Sequence, residues 1–396
     1  MSLDFYAQAQ SLLPEMIERR RDFHRHPELG FQEVRTAGIV AQELNRLGLE
    51  VTTGVGRTGV VGLLEGERPG PTLLLRFDMD ALPIVEANTT DYISQNPGVM
   101  HACGHDGHTT IGLAVAKLLA PLRANLAGAL KFVFQPAEEG LGGAEAMVAD
   151  GVLDRLGPAP ERSLALHLWN SKPLGWVGAT DGPAMAASER FSLTLQGRGG
   201  HGAIPNQTVD PVVAAAQVVT ALQTIVSRNV GPLQAAVVSA TLLKAGDAFN
   251  VIPDSALLGG TIRTFDPEVR ALVLRRLGEV AEGVARALGC EPRLETWRIT
   301  PATVNEPGMA AAVRALARDL PGVTEVAADE RTMGSEDMAF MMETIPGCYF
   351  FIGCSNAERG LNFAHHHPRF DFDERALATG AALMARAAAQ YVLPAA

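Results

Sequence analysis

Eight consecutive residues, His101-Ala102-Cys103-Gly104-His105-Asp106-Gly107-His108, carry three imidazoles, a thiol and a carboxylate. Thiolate with imidazole suits zinc or another late first-row divalent metal rather than magnesium or calcium. Any one of these side chains alone is more often packing or surface than a ligand. Packing needs no such density of donors, and Gly104 frees the backbone so that Cys103 and His105 can face one centre. A rival chemistry makes Cys103 a thiolate nucleophile activated by His105 or His108. Activity lost to a chelator and regained with zinc, manganese or cobalt separates the two.

Further donors lie far along the chain. Glu138 and Glu139 follow Gln135-Pro136-Ala137, where proline ends a strand. By itself the pair reads as a solvated acidic turn. Beside a Cys/His cluster it suits metal hydrolysis, in which one carboxylate binds metal and the other accepts a proton from water. His365-His366-His367-Pro368 offers three imidazoles, one of which is expected to be a ligand. Gly334-Ser335-Glu336-Asp337 reads as a helix N-cap with acids in the first turn. His201, on the glycine turn Gly199-Gly200-His201-Gly202, is weak evidence alone.

The elements that must position these residues alternate. Residues 12–48 are helical with a break at His26-Pro27-Glu28, and apolar runs at 60–64, 72–77, 130–134 and 164–168 read as strands buried on both faces. With helices between them, notably 109–119, they predict an α/β fold: a mixed, mostly parallel sheet flanked by helices. Asp78 and Asp80 directly follow one strand, Glu138 and Glu139 another, and His167 ends a third. Open α/β sheets bind ligands at the carboxyl ends of their strands, so these donors converge on one edge. Residues 185–300 change to the order βαββαβ, that of a ferredoxin-like sandwich. They are expected to be an inserted α+β lid or dimerisation domain, with 1–184 and 301–396 forming the catalytic domain.

The chain has 396 residues, 47% of them hydrophobic, ample for two such cores. A formal charge of −11 argues against nucleic acid or an anionic membrane as partner. The longest basic run, Arg19-Arg20-Arg21, reads as a solvated helix face. The acidic-polar start Met1-Ser2-Leu3-Asp4 is not that of a signal peptide, and no apolar run is long enough to span a bilayer. Four cysteines without paired spacing fit a reducing compartment, so a cytoplasmic location is expected.

The segments Arg76-Phe77-Asp78-Met79-Asp80-Ala81-Leu82-Pro83, His101–His108, Gln135-Pro136-Ala137-Glu138-Glu139-Gly140, His201-Gly202-Ala203, Gly334-Ser335-Glu336-Asp337 and His366-His367-Pro368 occur in the order that resembles the aminoacylase and carboxypeptidase G group of metallopeptidases. More closely, they resemble its branch of hippurate hydrolases and auxin-conjugate amidohydrolases. The resemblance implies two divalent metal ions (zinc, manganese, cobalt or nickel) held by Cys103, His105, Glu139, His167 and His366, with Glu138 as general acid/base and Asp80 orienting a ligand imidazole. It also implies that His201 reaches the scissile carbonyl, and that Asn250 and Arg263 reach the substrate carboxylate. The implied reaction is hydrolysis of N-acyl amino acids by a homodimer, with dipeptidase, aminopeptidase or N-acetyl-diaminopimelate-type deacetylation as alternatives. Asn206 and Asn170 depart from the branch, where histidine and proline are usual. Neither is an implied ligand, so the departures bear on substrate preference.

Overall fold

A computed structural model of the chain describes residues 4–393, so the segments 1–3 and 394–396 lie outside it, and with them most of the start weighed above as a signal segment. Contacts divide the chain into two compact units. The first comprises the chain up to Ala184, Thr303–Arg331 and the chain from Asp337 onward; the second comprises Met185–Ala302 with Thr332–Glu336. That last short segment was not part of the expected insertion at 185–300. It joins the second unit because Met185 bridges to Thr332 and the Ala186 N–H donates to Gly334 O at 2.9 Å.

In the first unit an eight-stranded mixed sheet has the order Glu50–Val55, Gly59–Glu65, Ala127–Gln135, Arg68–Asp78, Arg162–Pro173, Gly347–Ser355, Trp176–Gly178, Glu325–Ala327. The central strands Ala127–Gln135, Arg68–Asp78, Arg162–Pro173 and Gly347–Ser355 run parallel. The apolar runs 72–77, 130–134 and 164–168 predicted as strands fall inside them, buried on both faces as parallel strands require, whereas 60–64 lies in Gly59–Glu65, which is antiparallel to both its neighbours. Helices Phe5–Arg25, His105–Leu119 and Ala376–Val392 pack together, and the alanines of the last allow close approach. Helix Val34–Arg46 buries Thr36, Val40 and Leu44, spaced four apart on one stripe. The first helix begins at Phe5 rather than near residue 12, because Asp4 caps it by accepting from the Ala7 N–H.

The arginine triplet on that first helix corrects the sequence reading. Arg20 is fully buried rather than solvated: its Nε donates to Asp106 Oδ2 at 2.8 Å and its Nη2 to Asp371 Oδ1 at 2.9 Å. Arg21 pairs with Glu374 at 2.7 Å and Arg19 with Glu43 at 2.8 Å, and these two are partly exposed.

The second unit is a four-stranded antiparallel sheet, ordered Ala236–Lys244, Ser255–Thr264, Ala187–Gln196, Glu291–Thr300, with helices Pro211–Asn229 and Pro267–Ala287 and its own apolar core. This is the ferredoxin-like order. Both helices start on an Asp-Pro step, Asp210-Pro211 and Asp266-Pro267, in which the aspartate caps and proline occupies the first turn. Among the described residues no helix is long and apolar enough to cross a membrane.

Candidate metal centre

The predicted donors of the first unit gather at the carboxyl ends of its parallel strands. The strand Arg68–Asp78 ends on Asp78 and leads to Asp80; the strand Ala127–Gln135 leads to Glu138 and Glu139; the strand Arg162–Pro173 carries His167. Gly104, at φ 96°, turns the chain into helix His105–Leu119, so that Cys103 and His105 arrive just before and at the helix start.

Hydrogen bonds assign the ring nitrogens. His105 Nδ1 lies 3.0 Å from Asp80 O and 3.2 Å from Asp80 Oδ1, both acceptors only, so Nδ1 carries the proton. Its buried Nε2 has no hydrogen-bond partner. His167 Nδ1 donates to Leu168 O at 2.7 Å, leaving Nε2 3.5 Å from Cys103 Sγ. Both imidazoles thus engage Nδ1 with a fixed partner and leave Nε2 for a metal, which is the second-partner arrangement that orients metal-binding histidines. Asp80 also accepts the Glu139 N–H at 3.0 Å, tying the imidazole and the carboxylate turn together.

Three overlapping sets of donor atoms each lie within 4.8 Å of one another: Cys103, His105 and His167; Cys103, Glu139 and His366; His105, Glu138 and Glu139. Electrostatics show what the set lacks. Burial and then the carboxylates of Glu139, Glu138 and Asp78 hold the Cys103 thiol well above its ordinary pKa. Burial alone would lower the His105 pKa, but Asp78, Asp80 and Glu139 outweigh it and push it up to about 10. The His167 pKa falls well below its usual value, first through burial and then through the neighbouring histidines His108 and His365. A site that resists a thiolate and attracts protons is short of positive charge. Divalent cations would supply it, whereas a lone Cys103 nucleophile is disfavoured here because burial and three neighbouring carboxylates hold the thiol protonated.

The two acidic residues sit on a constrained turn. Ala137 takes φ 53° and donates its N–H to Glu33 Oε1 at 2.8 Å; His366 takes φ 65° and donates its N–H to Ala102 O at 2.8 Å. Left-handed conformations of non-glycine residues cost of order 1–3 kcal/mol each and persist only where the surroundings hold them. Beneath the turn, buried Arg76 donates to Gln135 Oε1 (2.8 Å), Asp78 Oδ2 (2.7 Å) and Asp337 Oδ1 (3.2 Å). Asp337 also accepts the Ala144 N–H at 2.9 Å. No helix starts at Ser335, contrary to the sequence reading: the next helix is Ala339–Met342, without a side-chain cap, and Asp337 is drawn into the buried Arg76 network instead. Arg76, Gln135 and Glu33 had no assigned role from sequence, and Asp337 had only that of an acid in a first helical turn.

Of the three C-terminal imidazoles, His366 places Nε2 3.2 Å from Glu139 Oε1. His365 Nε2 donates to Leu168 O at 3.0 Å, while His367 stacks on Phe363 and accepts the Arg369 N–H. Asn170, the departure from the branch, is buried and donates to Phe363 O (2.8 Å) and Asp371 O (2.9 Å), so it staples the segment that bears His366. His108 is fully buried with both nitrogens engaged, by Asp78 Oδ1 at 2.7 Å and the Leu168 N–H at 2.9 Å.

The remaining predicted residues belong to the second unit. His201 and Asn250 are brought side by side because Gly200–His201 pairs with Val251–Ile252 and the Gly202 N–H donates to Asn250 O at 2.8 Å. His201 is exposed and its Nδ1 accepts the Ala203 N–H at 3.1 Å, leaving Nε2 to carry the ring proton outward. Arg263, half-buried on strand Ser255–Thr264, donates to Thr261 Oγ1 and to Ile262 O at 3.0 Å. Asn206 lies exposed in the short turn Pro205–Gln207.

Residues 74–390 match the family described as Peptidase family M20/M25/M40. The chain is 40% identical to an N-acetylcysteine deacetylase of Bacillus subtilis, over 91% of this chain and 93% of the relative. It is 38% identical to a hippurate hydrolase of Campylobacter jejuni, over 96% and 100%. A crystal structure of Bacillus subtilis YxeP, described as a dinuclear metal binding peptidase of the M20 family, is similar at TM-score 0.83 and 34% identity, covering 96% of this chain and 98% of that one. The chain, with its donors gathered on the family's fold, is a member of peptidase family M20/M25/M40.

Proposed function

We propose that this chain is a metal-dependent amidohydrolase that cleaves the amide bond of N-acyl amino acids to a carboxylic acid and a free amino acid. The observation that carries the reading is the pair of donor sets sharing Cys103, one completed by His105 and His167 and the other by Glu139 and His366, with Glu138 alongside. Two divalent cations held there, zinc, manganese, cobalt or nickel by donor chemistry, would polarise the amide carbonyl and acidify the attacking water. Glu138 takes that water's proton and returns it to the departing amine nitrogen, whose expulsion as an anion is otherwise prohibitive. Asp80 keeps His105 in its Nδ1–H form and steadies the Glu139 turn.

Two named relatives, the N-acetylcysteine deacetylase and the hippurate hydrolase, support this substrate class, since both names refer to N-acyl amino acids. By resemblance, His201 is assigned to the scissile carbonyl, and Asn250 and Arg263 to the substrate carboxylate, which a guanidinium grips with two bonds. The division into a catalytic unit and an inserted lid or dimerisation unit, the homodimer and the cytoplasmic location belong to the same proposal; four free thiols fit the last.

Glu138→Gln tests the assignment with a panel of N-acetyl, N-benzoyl and dipeptide substrates. The variant is expected to keep both metals and lose activity by about 10²–10⁴-fold. A variant that binds no metal, or that turns substrate over normally, overturns it.

A further inference from the structure

His108 looks like another ligand of the cluster, but its surroundings give it a different task. Pairing between strands Arg68–Asp78 and Arg162–Pro173 ends at Arg76↔Ala165. Beyond that point the first strand turns away toward Asp80, and the Leu168 N–H meets the His108 ring instead of a strand carbonyl, at 2.9 Å from Nε2. An amide N–H only donates, so Nε2 must be the accepting nitrogen. Nδ1 then carries the ring proton and donates it to Asp78 Oδ1 at 2.7 Å. Both nitrogens are spent and the ring is fully buried.

The backbone on either side of Leu168, its N–H in the peptide from His167 and its carbonyl in the peptide to Trp169, is the point through which this matters. Its carbonyl accepts from His167 Nδ1 at 2.7 Å and from His365 Nε2 at 3.0 Å. Its N–H is held by His108, whose ring also packs edge-on against His167 with centroids 4.6 Å apart. His108 therefore joins the end of one strand (Asp78), the helix bearing His105, and the backbone that sets the orientation of His167. We infer that His108 is a positioning residue: acting through the His167–Leu168 peptide, it holds His167 with Nε2 turned toward the metal centre. This rests on the metal-dependent reading above. A buried N–H left without an acceptor is costly, so removing the imidazole frees the His167–Leu168 peptide to rotate and shifts the His167 backbone that carries the ring.

Two substitutions separate positioning from bulk. His108→Gln retains an acceptor at the Nε2 position for the Leu168 N–H; His108→Asn reaches only toward Asp78. Cobalt(II) is titrated into metal-free wild type and both variants, following the visible cobalt bands and the affinity of each equivalent. Loss of an outer partner typically weakens metal binding about 10–100-fold. His108→Asn is expected to lose roughly that factor for one of the two ions and to show altered cobalt bands, while His108→Gln stays within about threefold of wild type. Equal affinities and bands in all three proteins, or equal losses in both variants, overturn the inference. Wild type that binds no cobalt would instead overturn the metal reading itself. Should His108→Asn fail to fold, ¹⁵N-histidine spectra of wild type, with the His108 signals identified from His108→Gln, decide the matter. His108 must show a protonated Nδ1 and an unprotonated Nε2 that zinc leaves unshifted; a zinc-induced shift comparable to that of His105 overturns the inference.

Discussion

At the scale of single residues, Cys103 is the side chain on which the proposed centre depends most, because it belongs to both donor sets whereas His366 belongs to one. Cys103→Ala is therefore expected to lose both metals, and His366→Ala only one, as read by metal content per chain after dialysis. A Cys103→Ala protein retaining two ions would break this account. Chelation of the wild type should abolish activity, and zinc, manganese or cobalt should restore it; activity that survives chelation but not thiol alkylation would return Cys103 to the role of nucleophile. Much of this was legible in the sequence, since Cys103 and His105 are two residues apart and Glu138 and Glu139 adjacent. The choice among His365, His366 and His367 was not legible from the residues themselves, because three neighbouring imidazoles differ only in what each ring meets: a carbonyl, a carboxylate or a phenyl face.

Elements are held in place by charges that the sequence places far apart. Arg20 on the first helix reaches Asp106, 86 positions away, and Asp371, 351 positions away, and Asp106 also accepts from His24 Nδ1 at 2.7 Å. The network ties the N-terminal helix to the start of the His105–Leu119 helix and to the segment following His366. Removing one member of a buried ion pair leaves an uncompensated charge, so Arg20→Ala is expected to cost about 3–5 kcal/mol in urea unfolding. The partly exposed neighbour supplies the control: Arg19→Ala should cost less than about 1 kcal/mol. Comparable small losses in both would show that the buried network contributes little. A run of three arginines has no local mark of which one is interior, and this is why the helix was read as uniformly solvated.

For the molecule as a whole, the buried carboxylates set the response to acid. Burial alone would raise the Asp106 pKa, but Arg20 and His24 outweigh it and hold it far below the ordinary carboxylate range. A depressed folded-state pKa stabilises the protein above the unfolded value, about 3.9 for aspartate, and that stabilisation is lost as the pH falls below it. The stability gap between wild type and Asp106→Asn should accordingly shrink as the solution is acidified from about pH 5 downward. A gap unchanged at about pH 3 would rule out an ionised Asp106 as its source. The sequence by itself determined the identity of the donors, the alternation of strand and helix that brings them to one sheet edge, and the ferredoxin-like order of the second unit, because these follow from local patterns of side-chain type. Only the tertiary structure decided which nitrogen of each imidazole is free, which arginine is interior, and that Asp337 joins Arg76 rather than opening a helix. Each of those outcomes depends on a hydrogen-bond partner supplied from elsewhere in the chain, and no local pattern encodes where that partner will be.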